Sequence, residues 1–73
     1  MNIIKLTERV VSHRGIEYLE TKINPENIVE LNDKSDGNGE FCEVTINTYN
    51  NQIKKIQVSQ NSAFIQFQIN NQI

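Results

Sequence analysis

Residues 32–47 read NDKSDGNGEFCEVTIN, and the second half of this stretch decides the fold class. From Phe41 to Thr48 apolar and polar residues alternate. Cys42, Val44 and Ile46 fall on one side, and Glu43, Thr45 and Asn47 on the other. A period of two is what a strand with one wet face requires. The first half is polar and carries two glycines, so it reads as a connector in which Asp36-Gly37 and Asn38-Gly39 supply residues with positive φ.

The same stretch also has the outline of a calcium loop. With Gly37 at position 6 of an EF-hand frame, Asn32 takes position 1, Asp36 position 5 and Glu43 position 12. That frame needs an oxygen ligand at position 3 as well. Lys34 stands there and puts a cation where a carboxylate should coordinate. Moving the frame to Gly39 sets Lys34 at position 1 and Thr45 at position 12, which is worse. Both flanks read as strands, whereas an EF-hand is flanked by helices. Calcium binding is therefore the lesser reading. A polar hairpin loop is the main one, with Asp33, Lys34, Asp36, Asn38 and Glu40 as a candidate contact loop.

Working outward, short extended segments alternate with turns on both sides of this stretch. The first runs from Asn2 to Thr7, with Val10-Val11 extending it towards a turn at Ser12-His13-Arg14-Gly15. The second runs from Ile16 to Ile23, where Tyr18, Leu19, Thr21 and Ile23 favour strand. Asn24-Pro25-Glu26-Asn27 then breaks the chain. Asn24 precedes a proline and disfavours helix, and its side chain suits a cap for one helical turn begun by Pro25. Tyr49-Asn50-Asn51-Gln52 reads as a turn before a strand at Ile53–Val58. Ile53 is out of phase with Ile56 and Val58 there, which predicts a bulge or a late start. Residues 62–70 are ambiguous: Ile65, Phe67 and Ile69 keep a period of two, while Phe64, Ile65 and Ile69 share a helical face that Asn61 or Ser62 would cap. The expected fold is mainly β, a small antiparallel sheet or partly open barrel of four or five short strands, with 62–70 either strand or short helix. No linker or repeat divides residues 1–73, which read as one domain.

Composition narrows function. A chain of 73 residues with 37% apolar residues and no tryptophan has a stability of roughly a few kcal/mol unless something supplements its core. Cys42 is the only cysteine, so no internal disulfide forms and a reducing, cytoplasmic location is expected. The start, MNIIKLTERVV, lacks the apolar run of a signal peptide, and no segment is long enough to span a bilayer. A net charge of −2 with scattered basic residues argues against a nucleic-acid partner. The abundance of Asn and Gln fits an AT-rich genome, such as that of a phage or a low-GC bacterium.

Catalytic chemistry is poorly supplied. His13 is the only histidine and sits in a predicted turn. Cys42 shares a face with Val44 and Ile46, where a cysteine behaves as a small buried hydrophobe, so a Cys42–His13 pair is not expected. The carboxylates lie in predicted loops or on wet faces, and Gly37-Asn38-Gly39 lacks the spacing of a phosphate loop. No cofactor is expected. What remains is a binding surface: sheet edges that take a protein partner or a second copy. Tyr49, Lys54 and Lys55 are candidate exposed contacts; the lysine pair and the glutamines of the last segment either mark such edges or serve only to solubilise. At least three of the five aromatic residues, Tyr18, Phe41, Tyr49, Phe64 and Phe67, are expected to be buried. A small β module that mimics or binds nucleic acid is the alternative class, with the acidic balance favouring mimicry.

Two short motifs carry a family resemblance. Ile4-Lys5-Leu6-Thr7, followed by Ile23-Asn24-Pro25-Glu26-Asn27-Ile28, resembles the flagellar FlbD-like small proteins and their phage and mobile-element relatives. The resemblance implies a small, cytoplasmic, non-enzymatic protein with an opening strand, an INP-x-x-I turn, a hairpin and a short C-terminal helix. Against that pattern the NDKSDGNG segment stands out as an insertion.

Overall fold

The computed structural model describes residues 3–71. Five strands and one helix follow one another: β1 (Ile4–Ser12), β2 (Gly15–Ile23), β3 (Ile28–Asp36), β4 (Gly39–Asn47), β5 (Ile53–Val58) and α1 (Ser62–Asn70). All pairings are antiparallel, and the sheet order is β2-β1-β5-β4-β3. The expected mainly β sheet is thus present with five strands, and residues 62–70 resolve as helix. The start of the first strand at Asn2 lies outside the described residues.

One connection forces the sheet to curl. β2 and β3 occupy opposite edges, four strand spacings apart, or about 19 Å if the sheet were flat. Yet Ile23 and Ile28 are only five residues apart, a reach of at most about 18 Å when fully extended. Part of that connection is a 3-10 turn over Pro25–Asn27, which shortens it further. The sheet therefore coils into an open half-barrel. The turn is built as the residues predict: Asn24 Oδ1 accepts from the Glu26 N–H at 3.0 Å, and the Asn24 carbonyl accepts from the Asn27 N–H at 2.9 Å.

The core lies on the concave face. Ile4 and Leu6 of β1, Ile23 of β2, Cys42 and Val44 of β4, and Ile56 and Val58 of β5 close against Ile65 of α1. Ile28, Leu31, Ile46 and Ile69 pack around this cluster. The Cys42-Val44-Ile46 face is the inner one, as the alternation requires. α1 starts where the Asn61 side chain accepts from the Phe64 N–H at 2.8 Å, and the Asp33 carboxylate ties its first residue down by accepting from the Ser62 N–H and hydroxyl at 2.8 and 2.5 Å.

Three expectations need correction. First, NDKSDGNG is no long loop. Asn32 to Asp36 continue β3 in register with β4, from Asn32↔Glu43 to Asp36↔Gly39, leaving only Gly37 and Asn38 in the turn. Gly39 alone of the two glycines has positive φ, at +118°. Polar residues sit in this strand because β3 is an edge with much of its surface in water, so the backbone ladder holds it without apolar side chains. Second, β5 contains no bulge. Its ladder with β4 runs unbroken from Asn47↔Ile53 to Cys42↔Val58, and Ile53 simply points to the outer face. The irregularity lies in β3, between Ile28 and Glu30. Third, Phe41 is the only buried aromatic among the described residues; Tyr18, Tyr49, Phe64 and Phe67 are exposed. Aliphatic side chains and one cysteine fill the small core instead.

Candidate interaction surface

Of the five residues of the expected contact loop, Asp33, Lys34 and Glu40 line one open hollow together with Ser35, Phe41, Ser59 and Asn61, while Asp36 and Asn38 sit at the hairpin end. Most of them serve the fold. Asp33 caps α1, and those bonds from Ser62 hold its carboxyl below the usual carboxylate range. Asp36 accepts from the Asn38 N–H at 2.8 Å and from Arg9 Nη2 at 2.6 Å, and these donors in that order lower its pKa. Lys34 reaches Glu43 at 3.2 Å across the β3–β4 ladder. Asn38 forms the turn, and Glu40 is exposed at the start of β4. Asn32 and Glu43, the two ends of the calcium frame, oppose each other in the ladder. The intervening residues therefore form a flat hairpin and not a ligand-wrapping loop. Among the described residues, no three of His, Cys, Asp and Glu gather as a metal site.

Tyr49 is 94% exposed at the β4–β5 turn, as expected of a contact residue. With Lys54 it borders an open hollow at the mouth of the half-barrel, alongside Thr21, Ile23 and Ile46. Lys55 lies on the outer face, 3.9 Å from Glu43. The lysine pair belongs to β5, an inner strand in the sheet order, and pairs there with Ile46 and Thr45 of β4, while the bridge from β5 to β1 is confined to Glu8↔Val58. Cys42 is fully buried, and burial, followed by the charge of Asp33, pushes its thiol pKa up. His13 sits exposed at the tip of the β1–β2 hairpin. A buried thiol with a raised pKa is a poor nucleophile.

Arg9 was not singled out by the sequence, yet it is the one buried charged residue among those described, at 4% exposure. Glu8 pairs with Val58 on the core face, so Arg9 points to the opposite, outer face. There its guanidinium carbon stacks 4.2 Å from the centroid of the Phe41 ring. Its Nε donates to Gln57 Oε1 at 3.2 Å and its Nη2 pairs with Asp36. The cluster covers the outer side of the joint where β1 meets β5. That joint has a single bridging pair, Glu8↔Val58, so side chains do much of the holding. Gln60 adds a second clamp: it accepts from the Thr7 N–H at 2.9 Å and donates to Thr7 Oγ1 at 3.2 Å.

The two outer edges differ sharply. β3 is interrupted at Ile28/Glu30 and carries Glu30, Asp33, Lys34 and Asp36, the devices that blunt an edge. β2 is nine residues long, unbroken in its ladder with β1 and free of proline. Its outward groups can be identified. The Thr7 carbonyl accepts from the Ser59 N–H at 2.9 Å, so Thr7 turns its backbone groups towards β5. In an antiparallel ladder bonding direction alternates, so Leu6, Glu8 and Val10 turn towards β2 and meet Thr21, Leu19 and Glu17. Ile16, Tyr18, Glu20 and Lys22 then direct their N–H and C=O groups away from the sheet. Around this edge Val10, Val11, Tyr18 and Leu19 are exposed. Sequence reasoning recognised that edges would exist but had no means of saying which strand would be one.

Among the described residues no helix is long and apolar enough to cross a membrane. No known protein family, curated protein or solved structure matches this chain.

Proposed function

We propose that this protein is a small, non-catalytic protein-interaction module that adds a strand, from a protein partner or from a second copy, to the β2 edge. The observation that carries this reading is the contrast between the two edges: the β3 ladder is interrupted at Ile28/Glu30, while the equally long β2 is regular throughout and flanked by exposed apolar side chains. Strand addition uses such an edge, with main-chain bonds giving affinity and alternate side chains giving specificity. The reducing cytoplasm is the proposed setting, supported by the single, buried, unpaired cysteine. Kinship with the FlbD-like proteins belongs to the same proposal; an INP turn after the opening hairpin, a second hairpin, and a short terminal helix that follows the added strand β5 support it. A nucleic-acid mimic would need one continuous acidic face, and here the signs alternate, with Lys34 and Lys55 on either side of Glu43.

The test compares the wild type with Glu20→Pro. The Glu20 N–H points outward, so proline there removes an edge donor without breaking the β1–β2 ladder. Affinity purification from lysate and size measurement of the pure proteins should reveal an associated species that the variant loses while keeping its circular dichroism. A wild type that is strictly monomeric, and retains nothing the variant does not, overturns the reading.

A further inference from the structure

We infer that the occupant of the β2 edge is a second copy of this chain, paired antiparallel about a two-fold axis through Thr21. This deepens the strand-addition reading and rests on it. An antiparallel pair of identical strands can be two-fold symmetric only about an axis perpendicular to the sheet, and each register is then named by the residue that faces its own counterpart. Charge and shape select among the registers. Centred on Glu17, Glu20 or Lys22, the pairing sets two like charges directly opposite, which is destabilising. Centred on Tyr18 it opposes Glu17 to Leu19 and Ile16 to Glu20. Centred on Leu19 it opposes Tyr18 to Glu20 and Ile16 to Lys22. Both of these set charged against apolar or aromatic side chains.

Centred on Thr21, every pair within the strand matches. Glu20 faces the second copy's Lys22 twice, Leu19 faces its Ile23 twice, and the two threonines face each other. Opposite charges, aliphatic pairs and Thr–Thr pairs are the combinations that stabilise a ladder. The backbone agrees, because Glu20 and Lys22 are among the residues whose N–H and C=O groups point outward, so their pairs would be the hydrogen-bonded ones.

The isolated chain also leaves these charges unmatched. Lys22 stands directly opposite Lys5 and Glu20 opposite Thr7, and among the described residues neither Glu20 nor Lys22 takes part in an ion pair. The second copy's Glu20 supplies the anion that the Lys5/Lys22 pair lacks. On the concave side, half-exposed Leu19 would extend the row of core aliphatics that ends at Ile23. The two five-stranded sheets then join through residues 19–23 of each β2 into one continuous sheet, with residues 15–18 of each copy running past the joint and the blunted β3 at both outer ends.

Charge exchange at the two positions tests the register. Sedimentation velocity across a concentration series should show a monomer–dimer equilibrium for the wild type. Glu20→Lys and Lys22→Glu should each weaken it at least about tenfold, since each sets like charges opposite at both symmetric pairs. The double exchange, Glu20→Lys with Lys22→Glu, should restore the dimer. So should mixing the two single variants, which re-forms both opposite-charge pairs in a heterodimer and shows that both fold. A wild-type dimer unchanged by either single exchange, or no recovery on mixing, overturns the register. A wild type that stays monomeric overturns self-pairing altogether. If it is monomeric yet retains a partner that Glu20→Pro loses, strand addition stands and only the second copy is wrong.

Discussion

Replacing Ile65 with alanine tests the part of the fold that the sequence left open. In a strand, Ile65, Phe67 and Ile69 would share one face and matter about equally. In α1, Ile65 is fully buried against both halves of the sheet while Phe67 is 65% exposed. A nine-residue helix is not stable by itself in water, so its docking must hold it. The Asn61 cap contributes about 1 kcal/mol, and Ile65 supplies the apolar anchor. Removing three carbons at a fully buried site costs about 2–5 kcal/mol, from lost transfer energy and the cavity left behind. A chain of 73 residues at about 0.05–0.15 kcal/mol per residue has a total stability of about 4–11 kcal/mol. Ile65→Ala should therefore remove a large share of it, lowering Tm by at least about 8 °C. Phe67→Ala should stay within about 0.5 kcal/mol of wild type, as exposed substitutions do. Urea denaturation followed by far-UV circular dichroism reads both. Equal losses from the two substitutions, or a loss below about 1 kcal/mol for Ile65→Ala, would refute the docking argument.

Gly39→Ala should destabilise by about 1–3 kcal/mol because φ there is +118°, a region L side chains rarely adopt. Gly37→Ala, with ordinary φ and open space around it, should be close to neutral; thermal melts of the pair check this. Arg9→Ala should cost about 1–3 kcal/mol in urea denaturation through lost packing on Phe41 as well as the lost ion pair. Arg9→Met keeps most of the stem and should cost less; an equal loss for both would mean that charge alone matters. For pH, the folded pKa values of Asp33 and Asp36 are depressed below the usual 3.8. Their contribution is then fully present above the unfolded value and is lost as pH falls through about 4 towards the folded values. Stability measured against pH should drop over that acid window, and Asp33→Asn should flatten part of the drop. An unchanged acid limb in that variant would show that the Ser62 bonds do not depress the carboxyl.

The alternation of Cys42, Val44 and Ile46, the Asn24-Pro25 turn and the paired apolar runs were enough to determine a small antiparallel β protein with a buried cysteine. These are local signals: side-chain direction repeats every two residues in a strand, and proline fixes its own φ wherever it stands. Three things were settled only by tertiary structure. Residues 62–70 became a helix because Ile65 finds a pocket over the sheet and Asp33 caps Ser62, contacts spanning 29 residues of sequence. Asn32–Asp36 became a strand because an edge ladder with β4 tolerates polar side chains that no propensity argument would place there. Arg9 became a buried residue only because a curled sheet brings Phe41, Asp36 and Gln57 to it from other strands. The bare β2 edge is a property of the same kind: strand order follows from how far apart segments meet, and neighbouring residues along the chain carry no record of it.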